Sequence, residues 1–242
     1  MTARPVIIIP ARYQSSRFPG KPLAEIDGRP LIEHVYRSAS QAHGFGETIV
    51  ATDDKRIEKA VLAFGGNVLM TSADHRTGTD RIAEVAAGVT APIVVNLQVD
   101  ELFISPRAIE AVLEPLKVRP GEVMATLMTR INSTNELDDP NVVKVVVDQN
   151  GHALYFSRAP IPLARDGQAA VVYRHIGLYA YRHEFLLKLA ELEQTPLEKA
   201  ESLEQLRALE NGYKISVVEV EQESIAIDTP EQLARVNGQG KE

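Results

Sequence analysis

Short apolar runs rich in β-branched residues recur along the first half of the chain, at 5–9, 48–52, 66–70, 92–97 and 122–129. Between them, at 30–43, 55–65, 79–88 and 107–117, apolar positions recur three and four residues apart, the spacing that gathers side chains on one helix face. Strand and helix therefore alternate, which predicts a mostly parallel sheet flanked by helices. After about residue 130 the rhythm changes: "VVKVVVD", "ALYFSRAPIP" and "VVYRHIGLYAY" read as strands with little helix between them, the pattern of an antiparallel layer. Helices are expected at 183–193 and 201–211, then the strand "KISVVEV" and a last helix in "IDTPEQLARV". There Thr229 can cap, Pro230 suits the first turn and Glu231 favours the helix dipole. No internal repeat or low-complexity linker interrupts this order, and the terminal "GQGKE" is expected to fray.

Length and composition narrow the picture. A chain of 242 residues with 44% hydrophobic positions is long and apolar enough for one sizeable α/β domain, or for a core with a smaller insertion, and excludes disorder. A net charge of −7 argues against nucleic acid or an anionic membrane as partner, because both require a basic surface. Any anion must be held locally. The absence of cysteine removes disulfides, thiolate nucleophiles and zinc-thiolate sites, and suits a reducing compartment. The first apolar run is about half the length of a signal-peptide core and leads into Pro10 and Arg12, and no later run approaches a membrane span. The expectation is a soluble, cytoplasmic protein.

Three stretches carry candidate chemistry. In "PARYQSSRFPGKPL", directly after the first strand, Arg12, Arg17 and Lys21 supply positive charge, Ser15 and Ser16 hydroxyls, and Gly20 a close backbone approach. The loop after the first strand of an open α/β sheet is a favoured place for phosphates, and a phosphate chain fits these residues. It is not a Walker A loop, because Ser15 stands where the first glycine belongs and Pro22 replaces the magnesium-binding Ser or Thr. In "TSADHRTGTDRIAEV", Thr79 and Asp80 read as a helix start, which leaves Arg76, Thr77 and Gly78 in the preceding turn, where amides and small polar groups can read a base edge. Alone, this stretch reads as an ordinary loop with a helix cap, and only the rest of the constellation lends it a role. In "VVNLQVDELFI" a strand delivers Gln98, Asp100 and Glu101 at its carboxyl end, and a carboxylate there calls for a partner or a cation, so Asp100 is a metal-ligand candidate. Asp228 of "IDTP" can join it as a second oxygen ligand, or merely cap the last helix.

Taken in order, "PARYQSSRFPGKPL", "ATDD", "HRTGTDR", "NLQVDE", "YFSRAPIP", "RHIGLYAYR", "LEQLRALENG" and "IDTPEQL" resemble the 3-deoxy-manno-octulosonate cytidylyltransferases, over essentially the whole chain. The resemblance implies a Rossmann-like nucleotidyltransferase fold. Its nucleotide-binding core would run over about 1–130, an antiparallel sugar-binding and dimerisation part over about 131–215, and a return to the core over about 216–242. It implies magnesium-dependent transfer of a cytidylyl group from CTP to the acid sugar KDO, with catalysis by Arg12, Lys21, Asp100 and Asp228. Ala11, Arg12, Ser15, Lys21, Arg76, Thr77 and Gly78 would contact the nucleotide. Gln98, Arg158, His175, Tyr179, Glu204 and Gln205 would contact the sugar, Asp100 and Asp228 would hold Mg2+, and two copies would form a homodimer.

Residue chemistry is compatible with these roles. A guanidinium such as Arg158 offers paired donors to an acid sugar's carboxylate. Each residue taken singly also has a plainer reading: Tyr179 as core, Glu204 pairing along a helix with Arg207, His175 as a satisfied structural histidine. The family pattern Gln-Gly-Asp-Glu-Pro is Gln98-Val99-Asp100-Glu101-Leu102 here. Valine is expected to crowd the turn and disfavour positive φ, and leucine gives up proline's fixed φ, which bears on Asp100 and on the sugar accepted. A cytidylyltransferase for another acid sugar, an amino-substituted octulosonate or a sialic acid, and a catalytically silent CTP-binding regulatory protein are the alternatives.

Overall fold

All six residues of β1 (Val6–Ala11) are buried, so the first apolar run is covered on both faces, as in a parallel sheet wrapped by helices. The structure is a computed structural model, and it describes residues 3–14, 18–75, 77–165, 170–221, 225–226 and 230–239. They form two compact units, 1–110 with 223–242, and 111–222.

In the first unit, β1 is followed by a 3-10 turn (Lys21–Leu23), a small hairpin of β2 (Glu25–Ile26) and β3 (Arg29–Pro30), and α1 (Leu31–Ser40). Then come β4 (Thr48–Thr52), α2 (Lys55–Ala63), β5 (Asn67–Met70), α3 (Gly78–Ala87), β6 (Ile93–Leu97), β7 (Glu101–Leu102) and α4 (Pro106–Ala111). The second unit holds α5 (Glu114–Val118), β8 (Met124–Arg130), α6 (Thr134–Asp138), β9 (Lys144–Val147), β10 (Ala153–Ser157) and β11 (Tyr173–Arg182). It continues through α7 (His183–Glu191), α8 (Pro196–Glu201), α9 (Gln205–Glu210) and β12 (Ser216–Glu219). The chain closes in the first unit with β13 (Ile225–Ala226), antiparallel to β7, and α10 (Pro230–Gln239).

The parallel strands of the first unit lie in the order β6, β1, β4, β5. The chain steps outward from β1 to β4 and β5, then returns to the other side of β1 for β6. Strand order reverses between β1 and β6, and in open α/β sheets the crevice at the carboxyl ends of such strands is where ligands bind. Pro10 stands at the edge of this crevice. Ile7 donates its amide toward the β4 side, to Glu47 O at 2.9 Å, so alternation turns the nitrogens of residues 8 and 10 toward β6. The β1–β6 ladder ends at Ile8 opposite Asn96, whereas pairing with β4 continues to Ala11. The missing amide of Pro10 therefore falls just beyond the ladder, where it costs no hydrogen bond.

The second unit is a mixed sheet in the order β10, β9, β11, β8, β12, parallel only between β8 and β12. Two strands lie in other company than their patterns suggest. The run at 122–129 follows the parallel rhythm of the first half, and "KISVVEV" reads as the return to the core. Yet β8 pairs with β11 and β12, because an apolar run specifies a strand and not its neighbour. Two expected helices are also broken. That at 107–117 becomes α4 and α5, with Pro115 in the first turn of α5, and that at 201–211 is divided by Ser202 at φ +53° into α8 and α9. Among the described residues no helix is long and apolar enough to cross a membrane.

Candidate functional site

The crevice between β1 and β6 is bridged by an ion pair. Lys21, in the 3-10 turn after the first loop, places Nζ 2.9 Å from Oδ2 of Asp100, beyond the end of β6; the two side chains are 12% and 30% exposed. Ala11 is buried at the end of β1, and Arg12 follows it exposed.

The loop between them is shaped by Gly20 at φ +75°, whose amide donates to Tyr13 O at 2.8 Å. A β-carbon on Gly20 would lie 3.1 Å from the Tyr13 ring. That ring is covered in turn by the Arg56 guanidinium, 3.3 Å from its centroid. Arg56 is fixed by Asp54, the cap of α2, through Nε at 2.9 Å and Nη2 at 2.6 Å, and this pairing holds the Asp54 carboxyl below the usual range. Tyr13 and Arg56 went unread in the sequence because their contact joins the first loop to the first turn of α2, 43 positions further along the chain. The signal was faint: an aromatic residue inside a basic loop.

The helix start foreseen at Thr79 and Asp80 lies slightly earlier. Thr77 caps α3 in a reciprocal box with Asp80, and Gly78 is the first helical residue. A β-carbon on Gly78 would stand 3.3 Å from Gln98 Nε2 and 3.4 Å from Pro10, so a residue without a side chain lets α3 approach the crevice. Gln98 donates through Nε2 to the buried Asn96 at 2.8 Å, which orients its amide. Arg81, 3% exposed, donates to Thr71 Oγ1, to Ser72 O at 3.3 Å and to Asp53 at 3.1 Å, tying α3 to the ends of β4 and β5. An arginine so deeply buried marks a fixed frame.

Val99 and Leu102 are both buried. Val99 is not among the residues with positive φ, so the branched side chain meets none of the backbone conflict expected of it; the left-handed residue of this segment is Phe103, at φ +66°.

In the second unit, His175 and Tyr179 come together through a β-bulge. His175 lies opposite Met128 and Tyr179 opposite Thr126, so the strand register slips by two residues between them and the rings, four positions apart in sequence, reach 5.3 Å. The Thr126 hydroxyl sits against the bulge, 2.8 Å from Leu178 O, 3.2 Å from Ile176 O and 2.9 Å from His175 Nε2. A hydroxyl that donates to a carbonyl must accept from the imidazole, which assigns the proton to Nε2. Loss of solvation lowers the His175 pKa to about 3, so the ring is neutral although the residue keeps some surface.

Arg158 is engaged with the α8–α9 junction. Its Nε donates to Glu201 O at 2.7 Å, and its Nη atoms reach Pro140 O at 2.9 Å and Ser202 O at 3.4 Å. Burial works to raise the Glu201 carboxyl, but donors from the Arg158 amide, Ser157 and Tyr155 hold it below the usual range. Lys144, fully buried in β9, donates to the carbonyls of Asp139, Val142 and Arg158, and desolvation lowers its pKa. The lysine within "VVKVVVD" was the sequence signal for this knot. Arg207 is locked to Glu198 at 2.8 and 2.5 Å between α9 and α8, the elements that present Glu204 and Gln205. Gln205 is 4% exposed, and its Nε2 has no hydrogen-bond partner among the described residues.

Ser15, Arg76 and Asp228 lie outside the described residues, as do Ser16, Arg17 and Thr229. Among the described residues, no three His, Asp or Glu side chains converge in a way that could hold a metal. Magnesium is commonly held by one or two carboxylates together with substrate phosphates and water. Asp100, partly exposed beside a cationic turn at the crevice, is a donor of that kind.

Residues 6–215 match the family described as cytidylyltransferase. The chain is 55% identical over 238 residues to the 3-deoxy-manno-octulosonate cytidylyltransferase of Syntrophotalea carbinolica, covering 95% of each chain. It is 54% identical over 240 residues to the enzyme of that name from Geobacter metallireducens, covering 95% of this chain and 94% of that one. Among solved structures, a CMP:2-keto-3-deoxy-manno-octonic acid synthetase complexed with CTP superposes with a TM-score of 0.93 at 47% identity, over 98% of both chains.

Proposed function

Because this chain belongs to the cytidylyltransferase family, we propose that it transfers a cytidylyl group from CTP to the anomeric hydroxyl of KDO, releasing pyrophosphate and supplying CMP-KDO for lipopolysaccharide synthesis. The observation that carries the reading is the pairing of Lys21 with Asp100 at the strand-order reversal, a cation and a hard oxygen ligand side by side at the place where a nucleotide's phosphates are expected.

In this reaction the anomeric oxygen forms a bond to the α-phosphorus, the bond from that phosphorus to the bridging oxygen of pyrophosphate breaks, and the hydroxyl proton passes to solvent. Lys21 and Arg12 hold the triphosphate and stabilise charge on the departing pyrophosphate, and Lys21 exchanges its bond with Asp100 for one to phosphate. Ala11, Ser15, Arg76, Thr77 and Gly78 line the nucleotide, the small Gly78 leaving room at the start of α3. Mg2+, held by Asp100 and Asp228, would screen the α-phosphate and acidify the attacking hydroxyl. The remaining N–H groups of Arg158 meet the sugar carboxylate. Gln98, Tyr179, Glu204 and Gln205 take sugar hydroxyls, while neutral His175 serves as a hydrogen-bond partner and not a proton carrier.

A homodimer and a cytoplasmic location belong to the same proposal. The exposed Leu163, at 88%, with Leu154 and Val171, supports apolar contact between copies through the second unit.

The test is incubation with CTP, magnesium and KDO, with mass detection of the sugar nucleotide. CMP-KDO is the expected product. Turnover only with an amino-substituted octulosonate or a sialic acid would move the substrate, and tight CTP binding without turnover on any acid sugar would replace the enzyme by a regulatory binder.

A further inference from the structure

The candidate phosphate site has no rigid element of its own beneath it: Lys21 sits in a 3-10 turn of three residues and Asp100 in a short connection between β6 and β7. One residue, Leu102, is linked to both segments, through its side chain's cluster to the first loop and through its backbone to Asp100. Leu102 is 0% exposed and forms a cluster with Ile26 and Leu31, against which Phe18 of the first loop and Leu233 and Val236 of α10 are packed. Phe18 is joined to the turn, since its carbonyl accepts from the Lys21 amide at 3.2 Å.

The backbone of Leu102 acts on the other partner. Its N–H donates to Asp100 O at 2.8 Å, and the Glu101 N–H donates to Gln98 O at 3.2 Å, so the segment leaving β6 is folded tightly through Leu102. The strand pairing of Leu102 with Ile225 adds the chain's return. Next to it, Phe103 is held at φ +66°, a conformation costly for an aromatic residue. It is fixed by burial of both neighbours, Leu102 and Ile104, and by the Ser38 hydroxyl of α1, which donates to Ile104 O at 2.5 Å.

From this juxtaposition we propose that Leu102 is the positioning residue that sets Asp100 against Lys21. Its side chain anchors the first loop and α10, and its amide fixes the turn that aims the carboxylate. The inference rests on the assignment of Asp100 and Lys21 to magnesium and phosphate made above.

The experiment compares wild type, Leu102→Ala, Leu102→Met and Ile93→Ala, the last a buried deletion at the opposite end of the β6 segment. Two quantities are read: the magnesium concentration that half-saturates CTP binding, by calorimetry, and hydrogen exchange of the Lys21 and Leu23 amides without ligand. Leu102→Ala is expected to raise the magnesium requirement about tenfold and to speed exchange in the turn. Leu102→Met should restore both, and Ile93→Ala should lose stability and leave both unchanged. Should Leu102→Ala not fold, Leu102→Val takes its place with a smaller shift in the same direction. If the Leu102 variants lose stability but match Ile93→Ala in both readings, the proposal is overturned. Wild type that binds CTP and magnesium yet makes no CMP-KDO would remove the proposed reaction and leave this comparison intact; wild type that binds no CTP leaves the exchange comparison to decide.

Discussion

Lys21 Nζ and Asp100 Oδ2 are 2.9 Å apart although 79 residues separate them in sequence. The contact closes the carboxyl ends of β1 and β6 over the crevice between them. Because both groups reach solvent, the pair itself contributes little to stability, on the order of 1 kcal/mol or less. Its weight is chemical.

Asp100→Asn and Lys21→Met are therefore expected to lower kcat by about a hundredfold or more while shifting the melting temperature little. Pyrophosphate release and thermal unfolding, measured on the same samples, separate the two effects. A melting temperature that fell along with kcat would make the pair a structural clasp.

Gly20 is held at φ +75° with the Tyr13 ring 3.1 Å from where a β-carbon would be. Gly20→Ala should cost about 1–2 kcal/mol, from the left-handed conformation and from displacement of a ring clamped by Arg56. The KM for CTP is expected to rise several-fold with the KM for the sugar unchanged. Steady-state kinetics in each substrate checks this.

The depressed pKa of His175 makes a stability prediction with a definite sign. Between the ordinary histidine value of 6.5 and about 3, the unfolded chain takes up a proton that the folded protein does not. Stability is then full above 6.5 and declines as pH falls toward 3, by at most about 1.4 kcal/mol per pH unit. Urea unfolding from pH 4.5 to 8 should show this slope in wild type and a flatter one in His175→Gln. Activity above pH 7 should carry no inflection from this ring.

Gln205 leaves a buried amide donor without a partner among the described residues. Burying such a group costs about 1–3 kcal/mol, a cost repaid when a ligand oxygen arrives. Gln205→Leu is expected to raise the melting temperature and to weaken sugar binding about tenfold, with CTP binding unchanged. Loss of stability without any change in the sugar's KM would assign Gln205 to packing alone.

How far these features could be read in advance depends on their range along the chain. Short runs rich in β-branched residues, such as "VIII" and "TIVAT", read as strands covered on both faces, and the amphipathic stretches around α1, α2 and α3 can bury only one stripe. Local chemistry thus determined the alternating half of the fold, the phosphate-like character of the first loop and the candidacy of Asp100 at a strand end. Partnership was beyond its reach. Tertiary structure alone decided that β8 pairs with β11 and β12, that a bulge draws His175 to Tyr179, that Tyr13 lies under Arg56, and that Leu102 clusters with Ile26 and Leu31 against Phe18 of the first loop. The physical reason is that propensity and periodicity act within a few residues, whereas contacts between distant segments are selected by which surfaces pack together without leaving polar groups unsatisfied.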